Sequence, residues 1–201
     1  METAFTKIYD KNIWGGSGTG SKMSRNNQHY IDQLQAIIHK EDIKTICDIG
    51  CGDWEFSRTI DFQGKDYLGI DCVQSVIKEV EKKYKKKGVR FEYKEVGKHY
   101  IPKGFDLIIV KDVIQHWTDE DILSFFGEIL DKNKYVYCTN GYKFMRDPKK
   151  NALTKRDITN VYRYHPVDIA KLPLSKFKDH CISTTTYHSK QMNLFKKQLC
   201  S

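Results

Sequence analysis

The stretch Lys44-Thr-Ile-Cys-Asp-Ile-Gly-Cys-Gly-Asp-Trp54 constrains the fold more than any other part of the chain. Ile46 to Ile49 is an apolar run of buried-strand length, and it ends in Gly50-Cys51-Gly52, where the backbone must turn sharply. Glycine suits that turn because, lacking a Cβ, it accepts positive φ and lets a ligand come close to the backbone. A strand running through such a turn into a helix is how doubly wound α/β sheets receive nucleotides. The dinucleotide fingerprint asks for a third glycine three residues after the second, and Glu55 stands there instead. A pyrophosphate would meet a carboxylate, so NAD is disfavoured and a ligand without phosphate is expected.

A second short apolar strand, Asp66-Tyr-Leu-Gly-Ile-Asp71, closes on an acid about twenty residues further on, where this fold accepts hydrogen bonds from ribose hydroxyls. Three segments then stand in order: Asp48-Ile-Gly-Cys-Gly52, the acid Asp71, and Phe105-Asp-Leu-Ile-Ile-Val-Lys-Asp-Val-Ile-Gln-His-Trp117. Together they resemble the class I S-adenosylmethionine-dependent methyltransferases, well over residues 42–140 and more loosely on both flanks. The resemblance implies a Rossmann-like, doubly wound, mostly parallel sheet with a terminal antiparallel hairpin. It also implies S-adenosylmethionine as cofactor and S-adenosylhomocysteine as product.

Residue by residue, the resemblance implies that Gly50, Cys51 and Gly52 admit the amino-acid and ribose parts of the cofactor. Asp48 would orient its ammonium, directly or through water, and Asp71 would take the ribose hydroxyls; each could instead be a plain turn residue. Cys72 and Val73 would flank the adenine. Many members place an acid after the third strand, within Phe-x-x-x-Asp. Here the segment reads Phe91-Glu-Tyr-Lys-Glu95, so Glu95 or the Val96 backbone would have to serve. Lys111 and Asp112 follow the most apolar strand, at the carboxyl edge where open α/β sheets bind ligands. In similar enzymes this segment lies beside the sulfonium and its histidine faces the acceptor. His116 is thus a candidate general base, Lys111 a second catalytic candidate, and packing or capping the other reading of His116.

The remaining sequence sets the frame. At 201 residues, 39% hydrophobic and 30% charged, the chain suits one domain with a sizeable core. No apolar run nears the ~18–20 residues that span a bilayer, and residues 1–26 lack the hydrophobic centre of a signal peptide, so a cytoplasmic protein is expected. Six scattered cysteines form no Cys-x-x-Cys pair. Neither a disulfide framework nor a metal site is expected, and cysteines in buried strands act as small hydrophobes. The net charge of +8 owes much to residues 78–87 (KEVEKKYKKK), read as the solvated face of a helix whose inner face is Val76, Ile77, Val80 and Tyr84.

Strands are expected at Lys44–Ile49, Tyr67–Ile70, Val89–Tyr93, Phe105–Val110 and Tyr135–Thr139. Helices are expected at His29–Lys40, from Trp54 to Ile60, at Cys72–Lys86, and at Asp119–Leu130 behind a Thr118 cap. Strands alternating with helices mean a parallel sheet, and Asp179–His188 with Gln191–Gln198 reads as the closing hairpin.

Residues 1–27 read as an arm before a domain spanning 28–201. Trp14 through Ser21 matches a Trp-Gly…Ser-Gly-x-Gly-Ser pattern found in methyltransferase arms that close over the cofactor. The resemblance makes this segment a lid, with Trp14, Ser17 and Ser21 toward the cofactor; a flexible linker is the alternative. Residues 140–171 are where such enzymes keep acceptor contacts. The candidates are Tyr142, Arg163 and His165, among basic residues that admit an anionic acceptor. No Asn-Pro-Pro-Tyr or Asp-Pro-Pro-Tyr follows the central strand, so methylation of DNA base amino groups is disfavoured. The leading expectation is methyl transfer to a hydroxyl or amine of a small acceptor such as a sugar or sugar nucleotide, with no membrane partner. A nucleic-acid or protein methyltransferase, and a module that binds the cofactor without turnover, are the competing readings.

Overall fold

The computed structural model describes residues 2–13, 15–18, 25–97, 100–143 and 166–198. The sequence candidates Trp14, Ser21, Arg163 and His165 lie outside these described residues.

Seven strands form one sheet in the order β3-β2-β1-β4-β5-β7-β6. They are β1 (Thr45–Ile49), β2 (Asp66–Asp71), β3 (Val89–Tyr93), β4 (Leu107–Lys111), β5 (Tyr135–Gly141), β6 (Cys181–Tyr187) and β7 (Lys190–Lys196). The first five run parallel, whereas β7 is antiparallel to both β5 and β6. β1 and β4 read as continuous apolar runs because both faces of each are covered, as the interior of a parallel sheet requires. The strand order reverses between β1 and β4, which puts the topological switch point, the usual ligand crevice, beyond Ile49 and Lys111.

Side chains alternate across each strand, so two cores flank the sheet. On one face α2 (Arg25–Lys40) and α3 (Gln74–Tyr84) pack onto Ile46, Tyr67, Phe91, Ile109, Tyr137 and Leu194. On the other, α4 (Asp119–Lys132) sets Ile122, Phe125, Phe126 and Ile129 against Cys47, Ile108, Val110 and Phe195. Thr118 caps α4 as its sequence suggests, its hydroxyl accepting the Asp121 N–H at 3.1 Å. Cys47, Cys51 and Cys138 are free and buried, in keeping with cysteine as a small core hydrophobe.

Two elements differ from expectation. The helix foreseen from Trp54 is only a 3-10 turn, Ser57–Thr59. Trp54 sits at φ 56° and its ring is buried among Phe62, Tyr67, Tyr84 and Phe91, so tertiary packing overrides helix propensity there. Conversely, the arm contains a helix, α1 (Glu2–Asp10). Phe5, Ile8 and Tyr9 form its inner stripe at helical spacing, and Ile8 is fully buried. No helix among the described residues is long and apolar enough to cross a membrane.

Candidate cofactor and acceptor site

The glycine turn is fixed by the strand beside it. The N–H groups of Gly50 and Cys51 both donate to the Ile70 carbonyl, at 2.8 and 3.0 Å, which bends the chain away from β1. Gly50 and Gly52 have φ of 74° and 55°. A Cβ on Gly50 would come within 2.5 Å of Val113 Cγ2, and one on Gly52 within 2.4 Å of Ser17 Oγ. Glycine is thus required twice over, by conformation and by space.

Asp71 ends β2 beside this turn. One carboxylate oxygen accepts the Gly52 N–H at 3.1 Å and the other accepts the Val73 N–H at 3.0 Å. A carboxylate offers about four lone-pair positions, so each oxygen can still receive a hydroxyl. Burial raises the Asp71 pKa to about 6, against the backbone donors that favour its ionised form.

Asp48 is held by a relay. Trp54 Nε1–H donates to the Tyr67 hydroxyl at 2.9 Å, and that hydroxyl donates to Asp48 Oδ2 at 2.6 Å. Oδ1 remains uncommitted among the described residues. Burial lifts the Asp48 pKa to about 6, opposed by the Tyr67 hydrogen bond and the nearby Lys111 ammonium. The relay members Trp54 and Tyr67 were not foreseen. Their apolar contexts in the sequence carry only the signal of core aromatics.

Lys111 and Asp112 close β4. The Lys111 ammonium donates to Asp112 Oδ2 at 2.9 Å and lies over the rings of Tyr30 and Phe56, 5.5 and 5.0 Å from their centroids. Asp112 has φ 60°, a left-handed conformation that Asp tolerates better than most residues. Its second oxygen receives Lys190, the first residue of β7. Two ammonium groups hold the Asp112 carboxyl well below its usual range despite burial. Lys190 escaped the sequence reading because only the antiparallel return of the terminal hairpin brings it here.

The arm lies directly on the turn. Ser17 N–H donates to Asp53 Oδ2 at 3.0 Å, Asp53 N–H donates to Ser17 Oγ at 2.7 Å, and Tyr9 shares a 2.6 Å hydrogen bond with Ser17 Oγ. Burial, with the Asp71 charge adding to it, pushes the Tyr9 phenol well above its ordinary value. A cleft of about 330 Å³ between α1 and α3 borders this contact, lined by Tyr9, Gly16, Asp53, Val76 and Glu79. Further along, Phe5 of α1 meets the His116 ring edge-on at 5.4 Å.

Asp48, Gly50, Cys51, Gly52, Asp71, Lys111, Asp112, Ser17 and His116 thus gather at one carboxyl edge of the sheet. Cys72 is half-buried next to Asp71, where burial raises its thiol to about 12. Beyond β3, Val96 is buried and Glu95 exposed. Tyr142 lies past the end of β5, where its N–H donates to the Ser189 carbonyl at 3.0 Å. Among the described residues, no cluster of three or more His, Cys, Asp and Glu side chains could hold a metal ion.

The turn fits an adenosyl amino acid on its own chemistry: a carboxylate with spare lone pairs at the β2 end, glycines where any Cβ would collide, and a second acid with a free oxygen. The comparisons agree. Residues 46–135 match the family model for a methyltransferase domain. The magnesium protoporphyrin IX methyltransferase of Synechocystis PCC 6803 with bound S-adenosylhomocysteine superposes with a TM-score of 0.70 at 13% identity, over 98% of this chain and 99% of that one. An S-adenosylmethionine-dependent methyltransferase from Clostridium acetobutylicum ATCC 824 gives 0.62 at 14% identity, over 96% and 98% of the two chains. The mitomycin 7-O-methyltransferase MmcR gives 0.64 at 14% identity, over 85% of this chain and 53% of that one. No curated protein sequence matches the chain significantly. The strand order, the glycine turn and the matched model agree: residues 46–135 match a methyltransferase domain, and the chain has the fold of the S-adenosylmethionine-dependent methyltransferases it superposes on.

Proposed function

We propose that this domain methylates a hydroxyl or amine of a small acceptor, with a sugar or sugar nucleotide as the leading class. The observation that carries this reading is the Lys111–Asp112–Lys190 bridge at the carboxyl edge beside the switch point, where two cations share one carboxylate. Asp48 lies near Lys111, so Lys190 is the outer cation of the group, placed to meet an acceptor of anionic character. Solved neighbours include a porphyrin methyltransferase and a mitomycin 7-O-methyltransferase, both named for small-molecule acceptors.

The cofactor supplies a methyl group already activated on a sulfonium. What remains for the protein is positioning and exclusion of water. Asp71 would receive the ribose hydroxyls, Asp48 Oδ1 the amino-acid ammonium, and Cys72 and Val96 the adenine edge. Residues 1–27 would act as a lid, latched by Ser17 on Asp53. A hydroxyl acceptor would pass its proton to His116, since imidazole is the side chain most often used as a general base near neutral pH.

A nucleic-acid acceptor is less favoured, because the basic run on α3 is partly neutralised. Lys83 and Lys85 pair with Glu79 and Glu81 one turn away. The deciding experiment is calorimetric titration with S-adenosylmethionine, followed by transfer of a labelled methyl group to a panel of hydroxylated small molecules and to RNA. Micromolar binding with transfer to a small molecule supports the reading. Transfer to RNA alone overturns it.

A further inference from the structure

The bridge joins the candidate cofactor residues, through Lys111 and Asp112, to a second group of polar residues on β5, β6 and β7. On β4, β5 and β7 the residues alternating with the α2-side core are Lys111, Thr139 and Lys190, and Tyr187 of β6 packs against the same core. Register puts Lys111 opposite Thr139, and Lys190 opposite Tyr187. Across β5 and β7, Thr139 faces the buried Met192 and Lys190 faces Gly141, so the polar pairs Lys111–Thr139 and Lys190–Tyr187 lie one same-face step apart along the carboxyl edge. Helix α2 roofs it: Tyr30 stacks on Tyr137 at 5.6 Å, and His29 stacks on Tyr187 at 4.5 Å.

Three polar atoms under this roof are buried without a hydrogen-bond partner: Tyr137 Oη, Thr139 Oγ1 and His29 Nε2. The Tyr137 and Thr139 hydroxyls lie near one another but form no bond of good geometry. A buried polar group without a partner is destabilising, so three of them near one sheet edge are groups that a polar ligand would satisfy. Lys190 adds the charge. It spends one N–H on Asp112 and is 30% exposed, so its other donors face outward. Lys111, 10% exposed, is enclosed between two rings and cannot turn outward in the same way.

We propose that this surface is the acceptor pocket, and that it takes a hydroxylated acceptor carrying a carboxylate or phosphate. Lys190 grips the anionic group, and Tyr137 and Thr139 hold a hydroxyl next to it. Asp112 is the positioning residue, fixing the Lys190 ammonium from below. This assignment rests on the methyltransferase reading. It specifies the acceptor by two features, an anion and a neighbouring hydroxyl, and brings in the terminal hairpin as a determinant of specificity.

The test uses inorganic phosphate as the probe, with amide chemical shifts read on the full chain, with and without S-adenosylhomocysteine. Saturable shifts are expected at Lys190, Thr139 and Tyr187. Lys190→Gln should weaken phosphate binding about tenfold, the worth of one charge-assisted hydrogen bond, and Lys190→Arg should restore most of it. Thr139→Val should weaken it by roughly threefold. Shifts confined to the exposed lysines of α3, or unchanged in Lys190→Gln, overturn the proposal. So does a comparable loss of S-adenosylmethionine affinity in Lys190→Gln, since the lysine would then hold the cofactor's own carboxylate. Titration of the wild-type chain with S-adenosylmethionine reports on the methyltransferase reading separately. Its failure would remove that reading whatever phosphate does.

Discussion

Ser17 and Asp53, 36 residues apart, exchange reciprocal hydrogen bonds: each backbone N–H donates to the other's side-chain oxygen, at 3.0 and 2.7 Å. This pair joins the arm to the glycine turn and sets the first expected outcome. Ser17→Ala removes the acceptor for both Asp53 N–H and the Tyr9 hydroxyl. At about 1 kcal/mol for each of the two bonds, the arm should open roughly thirty times more often. Tryptic cleavage after Lys7 or Lys11 should accelerate in proportion while the melting temperature barely moves. Equal cleavage rates would show that the latch contributes nothing.

Gly52→Ala should be more damaging than its size suggests. The new methyl group would meet Ser17 Oγ at 2.4 Å on a backbone already at φ 55°. The left-handed conformation alone costs about 1 kcal/mol or more for a residue with a Cβ. The expected result is lower stability together with at least a tenfold loss of cofactor affinity by calorimetry. A variant that binds normally would mean that the turn tolerates a side chain and that the arm, not the cofactor, yields.

Asp48 gives a pH signature. Its folded pKa is raised to about 6 by burial, against an ordinary value of 3.8. A raised acid favours the folded state at low pH and loses that advantage as pH climbs through 6. Asp48→Asn keeps an acceptor for the Tyr67 hydroxyl and never ionises. Its melting temperature relative to wild type should therefore be higher at pH 8 than at pH 4. A difference that is constant with pH would mean that Asp48 titrates normally.

Asp71 acts in the opposite sense on binding. With its pKa near 6, protonation converts one oxygen from acceptor to donor just where ribose hydroxyls would arrive. S-adenosylmethionine affinity should fall as pH drops from 7 to 5, and Asp71→Ala should flatten that dependence. A profile unchanged in Asp71→Ala would move the effect to another group.

His116→Ala should lower turnover about tenfold or more if the imidazole takes the acceptor proton. Phe5→Ala separates this from packing, because it removes the edge-on contact at 5.4 Å while leaving the imidazole. Equal losses in both variants would assign His116 to holding the arm.

The sheet was legible because each parallel strand is a contiguous apolar run bounded by turn residues. β3 was placed at its observed ends, and β1 and β5 within two residues of theirs. The glycines were legible because the backbone of the turn demands them, and the two acids because they complete a pattern shared with a known family. What could not be read was anything set by distant packing. Trp54 gives up a helix for a ring cluster and the Tyr67 hydrogen bond. The helix α1 carries an apolar stripe at helical spacing, but at nine residues it is too short to be stable alone and depends on contact with the body of the protein. Lys190 looks like one surface lysine among many until β7 turns back and delivers it to Asp112, 78 positions away.

Ser17 and Lys190 stand outside the segment 46–135 matched by the family model, yet both end at the carboxyl edge which that segment builds. The matched segment thus contains the strands and the glycine turn but neither the arm nor the hairpin that meets them. On the proposed roles, mutation can redraft the arm and the hairpin, changing which molecule is admitted and how long it stays, while the strand, turn and acid proposed to receive the cofactor remain as they are.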